Sequence, residues 1–301
     1  MTAVPVFAQV NDTYVIPVSG NTPGAFGTRW KTQISIMNPQ SYELTVSVTL
    51  VRSGGAAGFE QLIDVPANSV AYSDNILDDL FDFAGTGALL LATFAEDNPG
   101  VPNDVISRSF LVTSNTYNDR RDGTYGTTVP ATWTGLQDYE FDEISAIAHG
   151  VRNVARLGWR TNIGAVNLGR SNVTLYVTVY NADGRRLLNR APFSIPPLAH
   201  MQDSLPVEVD RGSVEFFVDD PSQTAVVFPY ASGVDQLSGD PSYQTPTLLA
   251  SASVLFSKGA KAMQSPGKKL TNDAARGIRE SASRLGSARL MKEAAGYRIT
   301  H

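Results

Sequence analysis

His149, His200 and His301 are the only imidazoles in the chain, and there is no cysteine. Thiolate nucleophiles, disulfides and thiolate metal sites are therefore excluded. No two histidines stand at a metal-ligand spacing. A serine triad needs an imidazole base, and neither a Gly-x-Ser-x-Gly elbow nor a phosphate-binding glycine loop is present. His149 and His200 fall in ordinary strand or turn contexts. A glycosidase pair of carboxylates could lie anywhere in a chain, and nothing in the spacing of Asp and Glu favours one. Acidic and amide side chains gather instead at residues 97–104, 118–122 and 219–220 and at Asp240. Oxygen-rich loops of this kind could hold calcium. They match no EF-hand, however, and the same residue types close turns through their own side chains. The expectation is a chain without catalytic residues or a required cofactor.

Recognition chemistry is better represented. Tyr117, Tyr125, Trp133 and Tyr243 lie near loops that close each half of the chain, where their rings could stack on sugars or on a protein partner. The same rings could simply pack the end of a fold. Trp30 and Trp159 read as core or edge anchors. Arg276, Arg279, Arg284, Arg289 and Lys292 form a cationic set near the C-terminus that could meet an anionic partner. Nucleic acid is disfavoured, because the rest of the chain is acidic and carries no nucleic-acid-binding signature.

The elements that must position these residues are written twice. Trp30-Lys31-Thr32-Gln33-Ile34 is echoed by Trp159-Arg160-Thr161-Asn162-Ile163. The echo runs on without a gap through Asn38 and Asn167 to Leu50 and Val179, each pair 129 positions apart. A period of this length is a duplicated domain. Leu44, Val46, Val48 and Leu50 alternate with polar residues, as do Val173, Leu175, Val177 and Val179, which is the pattern of half-buried antiparallel strands. The preceding strands, 31–37 and 160–166, are expected to form hairpins with them through turns at 38–41 and 167–170. Further echoes pair residues 87–91 with 213–217, and place strands at 107–114 and 225–231. Asp74 is expected to cap a short helix carrying Ile76, Leu77, Leu80 and Phe81, which Pro206 interrupts in the second copy. Closing loops follow at 119–125 and 235–243.

Turn signals about every ten residues give an all-β chain of two tandem antiparallel sandwiches, immunoglobulin-like or jelly-roll-like. The organisation reads as an N-terminal arm or leader remnant at 1–12, sandwiches at 13–134 and 144–249 with a linker at 135–143, and a basic tail at 250–301. Residues 256–301 carry 10 Lys and Arg against 3 Asp and Glu, whereas the remainder carries 14 against 26. Ile278, Ala282, Leu285, Ala288, Met291 and Ala295 make a weak amphipathic stripe in that tail, broken by Gly277 and Gly286. The tail is therefore expected to be partly helical or disordered. Val6-Phe7-Ala8 before Gln9 has the small-residue pattern of a signal-peptidase site. No stretch approaches the roughly 18 apolar residues of a membrane span.

Residues 23–32 (Pro-Gly-Ala-Phe-Gly-Thr-Arg-Trp-Lys-Thr), Asn38-Pro39, Asp78-Asp79-Leu80-Phe81, and Ser114-Asn115-Thr116-Tyr117-Asn118 with Gly123-Thr124-Tyr125-Gly126 carry a resemblance. They are similar to a tandem β-sandwich repeat of uncharacterised secreted bacterial proteins, over about residues 14–249. The second copy diverges around 204–212 and 232–245. The resemblance implies export, to the cell surface or beyond it, and a sandwich fold. It supplies no ligand and no catalytic residue. The functional expectation is an exported, non-enzymatic structural or adhesive module that binds a protein partner or assembles with itself. The alternatives are a capsid-like shell protein of two jelly rolls and a glycan-binding protein.

Overall fold

The computed structural model describes residues 13–24, 27–54, 59–104, 106–120, 123–133, 144–219 and 225–250. The leader-like residues, the linker and the five tail cations lie outside the described residues. Nine strands come from the first copy: β1 (Thr13–Pro23), β2 (Arg29–Met37), β3 (Leu44–Arg52), β4 (Phe59–Val65), β5 (Val70–Ser73), β6 (Gly85–Ala92), β7 (Leu111–Arg120), β8 (Gly123–Thr128) and β9 (Thr132–Trp133). One helix, α1 (Ile76–Phe81), lies between β5 and β6. The second copy supplies β10 (Ile144–Asn153), β11 (Trp159–Asn167), β12 (Val173–Tyr180), β13 (Arg186–Ile195), β14 (Ala199–Ser204), β15 (Val209–Asp219), β16 (Val227–Asp235), β17 (Asp240–Gln244) and β18 (Thr247–Ala250).

Sheet 1 has the order β5-β2-β7-β8 and sheet 2 the order β4-β3-β6-β1-β9. Sheets 3 and 4 repeat them as β14-β11-β16-β17 and β13-β12-β15-β10-β18. The two copies are thus the same nine strands in the same arrangement, every pair antiparallel. Most successive strands change sheet; β3–β4 and β7–β8, with their counterparts, are hairpins within one sheet, and in the first copy the ends of β1 and β2 also pair, Thr22 with Trp30 and Pro23 with Arg29, which joins its two sheets at one edge. This is not the ABED/CFG order of immunoglobulin domains. It is the order of a jelly roll whose opening strand comes late in the chain, as β8 or β17.

The expected β2–β3 and β11–β12 hairpins do not form. β2 pairs with β1, β5 and β7, while β3 pairs with β4 and β6. A buried amide turns the corner instead. Asn38 Nδ2 donates to the carbonyls of Tyr42, Val65 and Pro66 at 2.7, 2.9 and 3.1 Å, and its Oδ1 accepts from Gln40 N. Asn167 repeats this with Ser171, Ile195, Pro196 and Gly169 N. Both asparagines are fully buried. The side chain takes the hydrogen bonds that a hairpin ladder would have made, so the chain crosses to the facing sheet.

Alternation correctly assigns the strand faces. Leu44, Val46, Val48 and Leu50 are buried in the first sandwich, and Val173, Leu175, Val177 and Val179 in the second. Elsewhere there are corrections. Leu50 faces Leu89 and Val179 faces Val214, so residues 88–92 match 213–217, one position away from the expected alignment. A one-residue slip exchanges the two faces of a strand. The supposed loop at 119–125 is the β7–β8 hairpin, paired out to Arg120 and Gly123. The first-copy strand expected at 107–114 starts at Leu111 and that expected at 225–231 starts at Val227. The N-cap position of α1 is held by Asn75 and not by Asp74, and its side chain makes no capping bond; the Asp74 carboxylate instead accepts from Tyr72 Oη. In the second copy β14 runs to β15 with no intervening helix, in keeping with the interruption expected at Pro206.

The four sheets stack in the order 1-2-3-4. One core lies between sheets 1 and 2, another between sheets 3 and 4. A third apolar layer joins the outer faces of sheets 2 and 3: Val15, Val51, Ala88 and Leu90 meet Val166, Leu168 and Phe228. Strands buried on both faces read as continuous apolar runs, which accounts for Ala88 to Ala92. Replacing Asn167 or Asn38 by Ala should leave three buried carbonyls without a donor. Each substitution is expected to cost about 3 kcal/mol, read as a lowered urea midpoint, whereas exposed Asn172→Ala should change it little.

Candidate functional site

The seam between sheets 2 and 3 is apolar at one end and opens into a cleft at the other. Rows across the outer face of sheet 3 follow from the register: His200, Val166 and Phe228, then Gln202, Gly164 and Tyr230, then Ser204, Asn162, Ser232 and Tyr243. Apolar residues give way to polar ones along this series. Gly164 is required in the second row, because a Cβ there would lie 2.3 Å from the Tyr230 ring.

A polar chain crosses the seam where the apolar layer ends. Ser53 Oγ lies 3.0 Å from His200 Nδ1, His200 Nε2 lies 2.8 Å from Tyr230 Oη, and Tyr230 donates to Gln202 Oε1 at 2.9 Å. With the tyrosine proton on Gln202, His200 carries its proton on Nε2, and Nδ1 accepts from Ser53. A serine thus donates to a neutral imidazole, as in a hydrolase. The third partner is a tyrosine in place of a carboxylate, and burial pushes the His200 pKa down to about 4. The imidazolium that a base must become is unsupported. The geometry is that of a latch between sandwiches.

Beyond Tyr230 the seam widens into a cavity of about 300 Å³. Sheet 3 provides Arg160, Asn162, Gln202, Ser232 and Tyr243. The mouth of the first sandwich provides Trp30, Thr116 and Thr127, and β1 passes between them. Tyr243 stacks on Tyr230, ring centroids 5.6 Å apart, and packs against the first core. Gly24 abuts the indole edge of Trp30. The guanidinium of Arg160 makes no ion pair or hydrogen bond among the described residues, and its Nε is buried. Trp30, expected to be an anchor, instead lines a cavity.

The four candidate aromatics are not brought together. Only Tyr243 reaches the cleft. Tyr117 donates to Asp74 O at 3.0 Å, and burial, with Asp74 nearby, raises its pKa. Tyr125 lies under the Arg120 guanidinium, and Trp133 pairs with Tyr14 at the edge of sheet 2. The oxygen-rich loop at 97–104 makes turns: Asp104 accepts from Ser107 N and Oγ, and Asn98 holds Thr45 and Phe94. Among the described residues no group of three or more His, Cys, Asp or Glu converges, and no helix is long and apolar enough to cross a membrane.

A second feature lies on the outer face of sheet 1. Met37 stands directly between Val70 and Leu111 in the register, and all three are exposed. Three of the six exposed large apolar side chains among the described residues are thus gathered in one place. No protein-family model matches the chain, and a search of curated proteins finds no match.

His200 makes acid sensitivity a property of the latch. Its pKa is lowered on folding, so the unfolded chain binds the extra proton between pH 6.5 and 4. The stability it preserves is complete above about pH 6.5 and is lost as pH falls toward 4, a loss of about 3 kcal/mol. Urea unfolding at pH 7 and pH 4.5 should therefore show a smaller acid-induced drop in His200→Gln than in the natural chain.

Proposed function

We propose that the chain is an exported, non-enzymatic structural module that joins to a second copy of itself through the outer face of sheet 1. The observation that carries this reading is the Met37, Val70 and Leu111 patch. These residues occupy the places that Val166, His200 and Phe228 hold in the second copy, where that face is docked on sheet 2. The face has the build of an interface and no partner within the described residues. Contiguous apolar surface of this kind marks association sites.

Two-fold pairing of the patch is favoured over a repeat of the internal contact. The free equivalent of sheet 2 is the outer face of sheet 4, where Tyr180, Ser213 and Glu215 replace Val51, Ala88 and Leu90. Glu215 is hydrogen-bonded by Tyr180, and Arg186 lies over the Tyr180 ring. A charged face is a poor match for an aliphatic one, and a self-complementary patch closes a dimer. The leader-like Val6-Phe7-Ala8 supports export, with which the cysteine-free composition is compatible. The weak basicity of His200 supports the non-enzymatic reading.

Sedimentation equilibrium of the full chain over a concentration series should show a monomer–dimer equilibrium. Leu111→Asp combined with Met37→Lys should give a monomer with an unchanged thermal midpoint. A natural chain that stays monomeric at every concentration would overturn the assembly reading.

A further inference from the structure

The cleft at the wide end of the seam plays no part in assembly, and its chemistry points to a ligand of its own. The internal duplication makes this visible, since each residue can be compared with its counterpart. Lys31 is the counterpart of Arg160, and it is neutralised: its Nζ lies 2.7 Å from Asp119 Oδ2. Lys31 faces Tyr117 and Arg160 faces Val234. Two residues further along the chain from each of these partners stand Asp119, still in β7, and Gln236, one residue past the end of β16. The second copy therefore has an amide where the first has the acid. Arg160 keeps its charge without its counter-ion, at the wall of a cavity, with Nε shielded from water and unbonded. Leaving a buried donor of this kind unpaired costs about 1–3 kcal/mol, which an incoming acceptor would recover.

The tryptophans differ in the opposite sense. Trp159 is covered by the Arg152 guanidinium, 4.6 Å from its ring centre. In the first copy Gly20 stands before Asn21 as Arg152 stands before Asn153, and Gly20 N donates to Thr32 as Thr161 donates to Arg152 O. Glycine at that point puts no side chain over Trp30, and the indole borders the cavity. One copy has thus lost the cover of its tryptophan and the other the partner of its arginine. The two vacated groups line the same cleft.

We propose that this cleft binds a saccharide carrying a carboxylate. Arg160 takes the carboxylate in a charge-assisted pair, and Trp30 and Tyr243 take the apolar faces of the sugar ring. Asn162 and Gln202 serve the hydroxyls; Gln202 commits its Oε1 to Tyr230 and has its amide nitrogen left to donate. A volume of about 300 Å³ is at the small end of ligand sites, which suits a chain end or a short oligosaccharide.

Calorimetric titration of the full chain with D-glucuronate and with tetragalacturonate distinguishes a single acidic sugar from an oligosaccharide. The fully methyl-esterified tetramer and inorganic phosphate are the controls. The acidic tetramer should bind at least ten-fold more tightly than its ester, and phosphate should not compete. Arg160→Gln should erase the difference between acid and ester while keeping the near-ultraviolet dichroism of the natural chain. Trp30→Phe, which preserves a ring, should weaken binding and abolish the ligand-induced change in tryptophan fluorescence. Equal affinity for acid and ester, or competition by phosphate alone, would overturn the proposal, as would the absence of binding to either acidic sugar. None of these results bears on dimerisation, which the sheet 1 variants test separately.

Discussion

The architecture depends on a neutral amide buried at a corner. Asn38 and Asn167 each bond three carbonyls that arrive from two different segments, the turn just ahead and the end of the strand after next. An uncharged donor is suited to that position, since a charged one would carry a far larger desolvation cost. Because the side chain satisfies the corner, β3 is released from pairing with β2 and is delivered to the opposite sheet. The crossing is what lets the alternating faces of β2 and β3 look at each other across a core. A hairpin at the same turn would have laid both strands in one sheet and left the facing layer to be built from elsewhere.

Much of this is legible in the sequence, and the limits have a physical origin. Alternation assigns each residue to a face, which is why the burial of Val46 and Leu175 could be read directly. It does not assign partners, so a crossing and a hairpin look alike; only the echo of Asn38 in Asn167 marks the corner, and an asparagine in a turn has a commoner explanation. Alternation also fails where both faces are buried. Ala88 to Ala92 is apolar throughout, and with no parity to hold it, the alignment of the two copies slipped by one residue. The seam itself leaves no local trace. Ser53 and His200 are 147 residues apart, and nothing near either one announces the other.

The cleft illustrates a related point. Aromatic residues near loops are a reasonable search criterion, and it located Tyr243, but it passed over Trp30 and Arg160 because both have innocuous counterparts in the repeat. The informative signal was in the differences between the copies. Asp119 against Gln236 and Gly20 against Arg152 are visible in the sequence, yet they acquire meaning only once the register of β7 and β16 fixes which residues correspond. Duplication establishes a frame in which a missing partner can be recognised.

The same duplication imposes a problem that the outer faces resolve. Sheet 2 docks on sheet 3, and sheet 3 is the counterpart of sheet 1. The contact is therefore head-to-tail, and head-to-tail contacts without closure propagate into filaments. A chain that kept both faces unchanged would present an aliphatic sheet at each end and stack indefinitely. In this chain one end has been altered. Glu215 and Ser213 stand on sheet 4 where Leu90 and Ala88 form the seam, so burying that face against an apolar sheet would take a carboxylate out of water. The other end keeps Met37, Val70 and Leu111 exposed. A body with one apolar end and one polar end cannot extend itself in series. The arrangement that would bury the apolar end without burying Glu215 is two such ends together, the pairing proposed above, and growth would stop there.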